Sequence, residues 1–205
     1  MRPWVLLRHF GIAFEEIRVP LFVPGYQDEL QNYSPTLRVP VLQDAGLTVW
    51  DSLAICEYVS EKYLQGAGMP AELMSRALCR SYCCEMHAGF TAIRTALPMN
   101  CRALRRLDLS AEVLSEVERV DELWEQALEA AAGHGDFLFG DFSIADCMYA
   151  PVAMRFHTYG VTLSDSSQKY LQTLLSNSAI KQWRQQAAAE LEQLPDFEVG
   201  KTVTA

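Results

Sequence analysis

SPTLRVPVLQDAGLTVWDS, from Ser34 to Ser52, reads as turn, strand, tight turn, strand and helix start. Val39-Pro40-Val41-Leu42 sets a proline at the head of an apolar run. Proline has no N–H to give a ladder, which predicts a strand start or an edge. Asp44-Ala45-Gly46 is turn chemistry, so Val41–Gln43 and Leu47–Trp50 are predicted to form a hairpin. Asp51-Ser52 then stands directly before Leu53-Ala54-Ile55-Cys56-Glu57-Tyr58-Val59, an amphipathic helical run. Ser or Asp at a helix N-terminus predicts a cap and a natural anion site.

Upstream, Pro3 suits the first turn of a helix that Trp4 to Phe10 continue and Gly11 ends. Phe14, Ile17 and Val19 alternate imperfectly, which predicts a strand over Ala13–Val19. Pro20 to Gly25 reads as a loop and Tyr26 to Tyr33 as a short helix or turn. The helix after Ser52 runs to about Tyr63, and Gln65 to Pro70 is the predicted boundary between a domain at 1–64 and one at 71–205.

Beyond that link the pattern is helical. Ala71 to about Leu97 is predicted as one long helix broken near Pro98. Ser110 caps the next, whose Val113, Val117, Val120, Trp124 and Leu128 recur at core-facing spacing. In Phe142-Ser143-Ile144-Ala145-Asp146-Cys147, Ser143 and Asp146 have the spacing of a capping box, a structural role. Two more helices follow, around Ser166–Ser176 and Ser178–Leu191, and the tail from Pro195 is a docked or poorly ordered end.

Composition removes several function classes. The 205 residues are 50% hydrophobic and carry a formal charge of −9, with no basic patch for nucleic acid. Arg102, Arg105 and Arg106 read as a solvated helix end. No apolar run approaches membrane-spanning length, and Arg8 and His9 interrupt the first one, unlike a signal peptide. The six cysteines lack zinc-site spacing: Cys79 and Cys83 share a helix face, but no partner pair follows. No metal is expected, and the thiols read as reduced small hydrophobes of a cytoplasmic protein. Nucleophile-elbow, phosphate-loop and dinucleotide motifs are missing from the sequence.

The ordered set of Arg38-Val39-Pro40, hairpin, Asp51-Ser52 and helix resembles the glutathione-binding half of cytosolic glutathione transferases. The Ser143–Asp146 box resembles the one that marks their sixth helix. Arg2-Pro3-Trp4 resembles the first helix of bacterial members that carry a serine motif just upstream.

The resemblance implies a thioredoxin-like α/β domain that lacks its first strand, followed by an all-helical domain. It implies glutathione as co-substrate, a small electrophile as second ligand, and a cytoplasmic homodimer joined through the fourth and fifth helices and the first domain. Val39, turned outward by a cis peptide at Pro40, would pair with the cysteinyl backbone like an added strand. Ser52 would cradle the γ-glutamyl carboxylate, Asp51 would meet the α-amine and Arg38 the glycyl carboxylate. Met86, His87, Phe90 and Arg94 would line the electrophile pocket.

No catalytic residue is assigned. The family's thiol-activating residue belongs to a strand and loop before the first helix. Here no Ser, Thr or Tyr precedes Tyr26, and the first cysteine is Cys56. The expectation is a natural product longer at its N-terminus. Two functions stay open: conjugation or isomerisation of electrophiles through the glutathione thiolate, or a non-catalytic binding or scaffold module.

Overall fold

Pro3 and Gly11 bracket the first helix, α1 (Arg2–His9), in the computed structural model, which describes residues 1–203. Gly11 takes φ +67°, and the N–H groups of Gly11 and Ile12 return to the carbonyls of Arg8 and Leu7 at 3.3 and 2.9 Å. The left-handed glycine thus closes the helix with a Schellman motif. Trp4, Val5, Leu6 and Leu7 enter the core.

The strand expected over Ala13–Val19 does not form. Residues 13–22 make no backbone–backbone hydrogen bond among the described residues. A strand exists only through a ladder partner, and alternation in sequence cannot supply one. Side chains anchor the segment instead. Glu16 accepts the indole N–H of Trp4 at 2.9 Å, and Phe14 meets the Trp4 ring edge-on. A short helix follows, α2 (Tyr26–Leu30).

The predicted hairpin is present as β1 (Val41–Asp44) and β2 (Leu47–Trp50), antiparallel, with Val41 opposite Trp50 and Asp44 opposite Leu47. Ala45 and Gly46 both have positive φ, as a two-residue loop that follows the strand twist requires. Helix α3 (Ser52–Leu64) grips this turn: Tyr58, Lys62 and Tyr63 all donate to one oxygen of Asp44, at 2.9, 2.7 and 2.6 Å.

The long helix expected over 71–97 is two helices, α4 (Leu73–Ala88) and α5 (Thr91–Ala96). The break sits at Gly89-Phe90, where Phe90 takes φ +56° and buries its ring. Glu116 fixes it by accepting the N–H groups of Ala92 and Ile93 at 3.1 and 2.8 Å. A carboxylate from another helix thus replaces the bonds that a continuous helix would make.

Arg105 and Arg106 are not a helix end. They form a short strand, β3, and Arg102 and Arg105 both pair with Glu198 from the tail. The next helix, α6 (Ala111–Ala130), starts at the predicted cap: Ser110 Oγ accepts the N–H of Val113.

Helix α7 (Ile144–Tyr159) is the axis of the molecule and is buried on nearly every side. It packs against α1, α3, α4 and the next helix, α8 (Asp165–Ser176), with α9 (Ser178–Ala189) beyond. Trp124 of α6 sits edge-on to Tyr149 of α7 and Tyr170 of α8, at 5.8 and 4.9 Å between ring centres. At the start of α7, Asp146 closes its predicted box, accepting the N–H and the hydroxyl of Ser143 at 2.8 and 2.9 Å.

The tail docks. After a single turn at Pro195–Phe197, β4 (Lys201–Thr202) pairs antiparallel with β3; Thr204 and Ala205 lie outside the described residues. No helix among the described residues is long and apolar enough to cross a membrane.

Candidate functional site

The hairpin, α1, α3, α4, α5 and α7 converge on the start of α3. Ser34 shapes the approach to it: its buried hydroxyl donates to the Arg38 carbonyl at 2.8 Å and accepts the Arg38 N–H at 3.1 Å. This delivers the chain into a cis Val39-Pro40 peptide. Val39 is 51% exposed, and its backbone makes no hydrogen bond within the described residues.

Asp51, rather than Ser52, is the N-cap. Its carboxylate accepts the N–H groups of Leu53 and Ala54 at 2.8 and 3.4 Å. The other oxygen meets His87 Nε2 of α4 at 2.7 Å, an ion pair when the ring is protonated. Burial pushes the Asp51 carboxyl upward, but the Leu53 N–H, the His87 ring and the Ala54 N–H together hold it below its ordinary value. Ser52 is the first helical residue and only 4% exposed. Its hydroxyl accepts a hydrogen bond from Arg2 Nη1 at 3.1 Å, while its own N–H has no partner among the described residues.

Arg2 organises this place, and the sequence reading did not assign it a role. Besides Ser52, it reaches the Met148 carbonyl of α7 at 3.4 Å and the Met86 sulfur of α4 at 3.3 Å. Arg94 of α5 donates to the carbonyl of His87, the residue after Met86, at 3.3 Å. The structure therefore brings Asp51, Ser52, Met86, His87 and Arg94 to one place. Met86 and Phe90, expected to line the electrophile pocket, are instead buried in the core at 1% and 6% exposed because α4 and α5 turn them inward, and the Arg38 side chain has no hydrogen-bond partner among the described residues.

A second unassigned residue is Arg155 of α7. A cation inside the apolar run from Ala145 to Phe156 was the signal that could have found it. Its Nη1 donates to the Pro151 carbonyl of its own helix at 2.9 Å, and its Nε is closed to water without a partner.

The thiols offer no nucleophile here. Cys56, Cys79, Cys83 and Cys147 are buried, and burial pushes the Cys56 thiol up to about 12. Among the described residues no group of three or more His, Cys, Asp or Glu side chains could hold a metal ion. Two cavities, of about 350 Å³ beside α9 and the tail and about 510 Å³ around the 65–71 link, lie away from Ser52.

Two profiles of one family match this chain: "Glutathione S-transferase, N-terminal domain" over residues 1–62 and "Glutathione S-transferase, C-terminal domain" over residues 107–189. The protein belongs to the glutathione transferase family. Its fold is the family's, a small N-terminal sheet domain with helices followed by an all-helical part.

A stringent starvation protein A homolog of Coxiella burnetii is 22% identical over 197 residues, covering 93% of this chain and 88% of that one. The maleylacetoacetate isomerase of Rattus norvegicus is 26% identical over 161 residues, 75% and 71% of the two chains. A Burkholderia glutathione transferase homolog, solved with bound glutathione, aligns at TM-score 0.68 with 24% identity over 91% of this chain and 89% of that one. As a glutathione transferase family member, this chain presents Val39, Asp51 and Ser52 at the point where its hairpin meets α3.

Proposed function

We propose that this protein binds glutathione against the start of α3. The carrying observation is the set of backbone groups there that are unused among the described residues: Val39, half exposed and unpaired, and the Ser52 N–H at a helix N-terminus. The cysteinyl backbone pairs with Val39 like an added strand. The γ-glutamyl carboxylate meets the Ser52 N–H, where the helix dipole favours an anion, and the Ser52 hydroxyl, which accepts from Arg2 and keeps its own proton to donate. Asp51 faces the α-amine, and Arg38 the glycyl carboxylate. The glutathione-bound Burkholderia homolog supports the reading by likeness of fold.

On this reading the protein adds the glutathione thiolate to a small electrophile lying along His87 and Arg94, in the cytoplasm and as a homodimer, with the division between domains at residues 65–70. A second reading is a glutathione-binding module without turnover. It is favoured by the Ser52 hydroxyl, which is buried and already engaged by Arg2, so that it holds rather than activates.

Calorimetric titration with glutathione tests binding. Saturable binding that Ser52→Ala weakens about tenfold is expected, the loss of one hydrogen bond to a charged group. A chain that takes up no glutathione would sink both readings. Turnover of chlorodinitrobenzene then selects the enzyme, and binding without turnover selects the module.

A further inference from the structure

The two oxygens of Asp51 have different partners. Oδ1 accepts the N–H groups of Leu53 and Ala54 and so fixes the start of α3. Oδ2 meets Nε2 of His87, in the last turn of α4, at 2.7 Å. Both side chains are partly open to solvent, 36% for His87 and 41% for Asp51, so a ligand can reach the pair. A carboxylate only accepts, so Nε2 carries a hydrogen whether the ring is charged or neutral, and protonation adds its proton at Nδ1. That nitrogen is closed to water and has no partner among the described residues. The imidazolium therefore gains a buried N–H that nothing accepts, and Asp51 is its one counter-charge among the described residues.

The groups around this pair hold their charge where histidine titrates. Arg2 of α1 binds Ser52 and Met86, the chain neighbours of Asp51 and His87. Arg94 of α5 donates to the His87 carbonyl at 3.3 Å, and from α7 the Met148 carbonyl serves Arg2. The Cys83 thiol, one turn back on α4, is pushed up by its hydrogen bond with Cys79 and by burial, and stays neutral. Glu85 of α4 and Glu57 of α3 are committed to Arg119 and Arg80. Asp51 is held below its ordinary value and stays ionised. Histidine is the side chain whose ordinary charge change falls between about pH 5 and 8, so His87 is the member of this set that switches there.

We propose that His87 is a proton-linked gate on the place of the glutathione α-amine: the imidazolium and the ligand's ammonium compete for Asp51 Oδ2, so glutathione enters as His87 gives up a proton to solvent. The inference rests on the reading that Asp51 faces the α-amine, and adds the regulation of that contact. One carboxylate cannot balance two cations, and an imidazolium cut off from Asp51 is left with no partner at either nitrogen. A neutral ring removes the conflict. It still donates its Nε2–H, and the second lone pair of the same oxygen receives the ammonium. The complex then holds fewer protons than the free protein at acid pH. By linkage, affinity rises with pH and levels off once the ring is neutral in both states.

The test is calorimetric titration of the full chain with S-methylglutathione between about pH 5.5 and 8. The methyl group removes the ligand's own thiol titration, and two buffers of different ionisation enthalpy count the protons released. Affinity should rise about tenfold across this range, with proton release at the acid end and none at the alkaline end. His87→Gln, whose amide can still donate to Asp51 but carries no charge, should give a flat profile and release no proton. An analogue with hydrogen in place of the α-amine should bind the wild type without the rise, which keeps the test readable if the variant does not fold. A flat wild-type profile, the same rise in His87→Gln, or the same rise with the deamino analogue would each overturn the gate and leave glutathione binding in place. No binding at any pH would overturn the gate and the glutathione reading together.

Discussion

Asp146 gathers four donors around one buried carboxyl: the Ser143 N–H and hydroxyl, the Leu138 N–H at 3.3 Å and the Tyr170 hydroxyl at 2.8 Å. No cation joins them among the described residues, and burial pushes the carboxyl up to about 6 despite those donors. Between about pH 4 and 6 the folded chain therefore holds a proton that the unfolded chain releases. The fold loses stability from this group as pH rises through that window, by about 3 kcal/mol for two pH units. Asp146→Asn should cost about 2 kcal/mol or more, because its amide turns a donor toward donors. It should also remove the slope, so the gap between wild type and variant narrows from pH 4 to pH 7. Urea midpoints for the two proteins across that range check this, and a constant gap would refute it.

Local chemistry at the level of elements was legible in the sequence. Proline, a two-residue turn and an acid-serine pair placed β1, β2 and α3, and Ser143 with Asp146 placed the start of α7. What failed depended on distant partners. Residues 13–19 alternate like a strand yet find no ladder, and α4 ends where it does because Glu116, far along the chain, caps α5. Arg2 was missed for the same reason, since its partners at 52, 86 and 148 come together only in three dimensions.

The 65–70 link is tighter than its glycines suggest. Gly68 N–H donates to Ser60 Oγ of α3 at 3.0 Å, and Gly68 carbonyl accepts the N–H of Ile144, the first residue of α7, at 2.8 Å. A Cβ at Gly68 would lie 2.8 Å from Ser60 Oγ and 2.9 Å from Ser60 Cβ. Gly68→Ala should therefore destabilise the protein by about 1–3 kcal/mol, an overpacking cost. Adding Ser60→Gly should recover part of it. Equal denaturation midpoints for wild type and Gly68→Ala would contradict the clasp.

At the scale of the whole molecule, α4 turns apolar side chains to solvent: Leu73, Met74 and Leu78 are 69, 74 and 55% exposed, with Trp50 and Tyr63 also open. The proposed homodimer would cover this face. Light scattering should give twice 23.1 kDa for the wild type and a single 23.1 kDa for Met74→Glu combined with Leu78→Glu. A wild-type monomer at micromolar concentration would remove the dimer from the proposal.

The negative charge of the chain also sets how anionic glutathione must arrive. Overall the chain carries −9, so the ligand's carboxylates meet a repelling exterior before they meet the start of α3. Added salt screens charges in solvent far more than charges that are partly buried. Association of an anionic ligand should therefore quicken with ionic strength, the reverse of ordinary electrostatic steering. The barrier to capture lies in the approach, and stopped-flow rates in rising sodium chloride would measure its height.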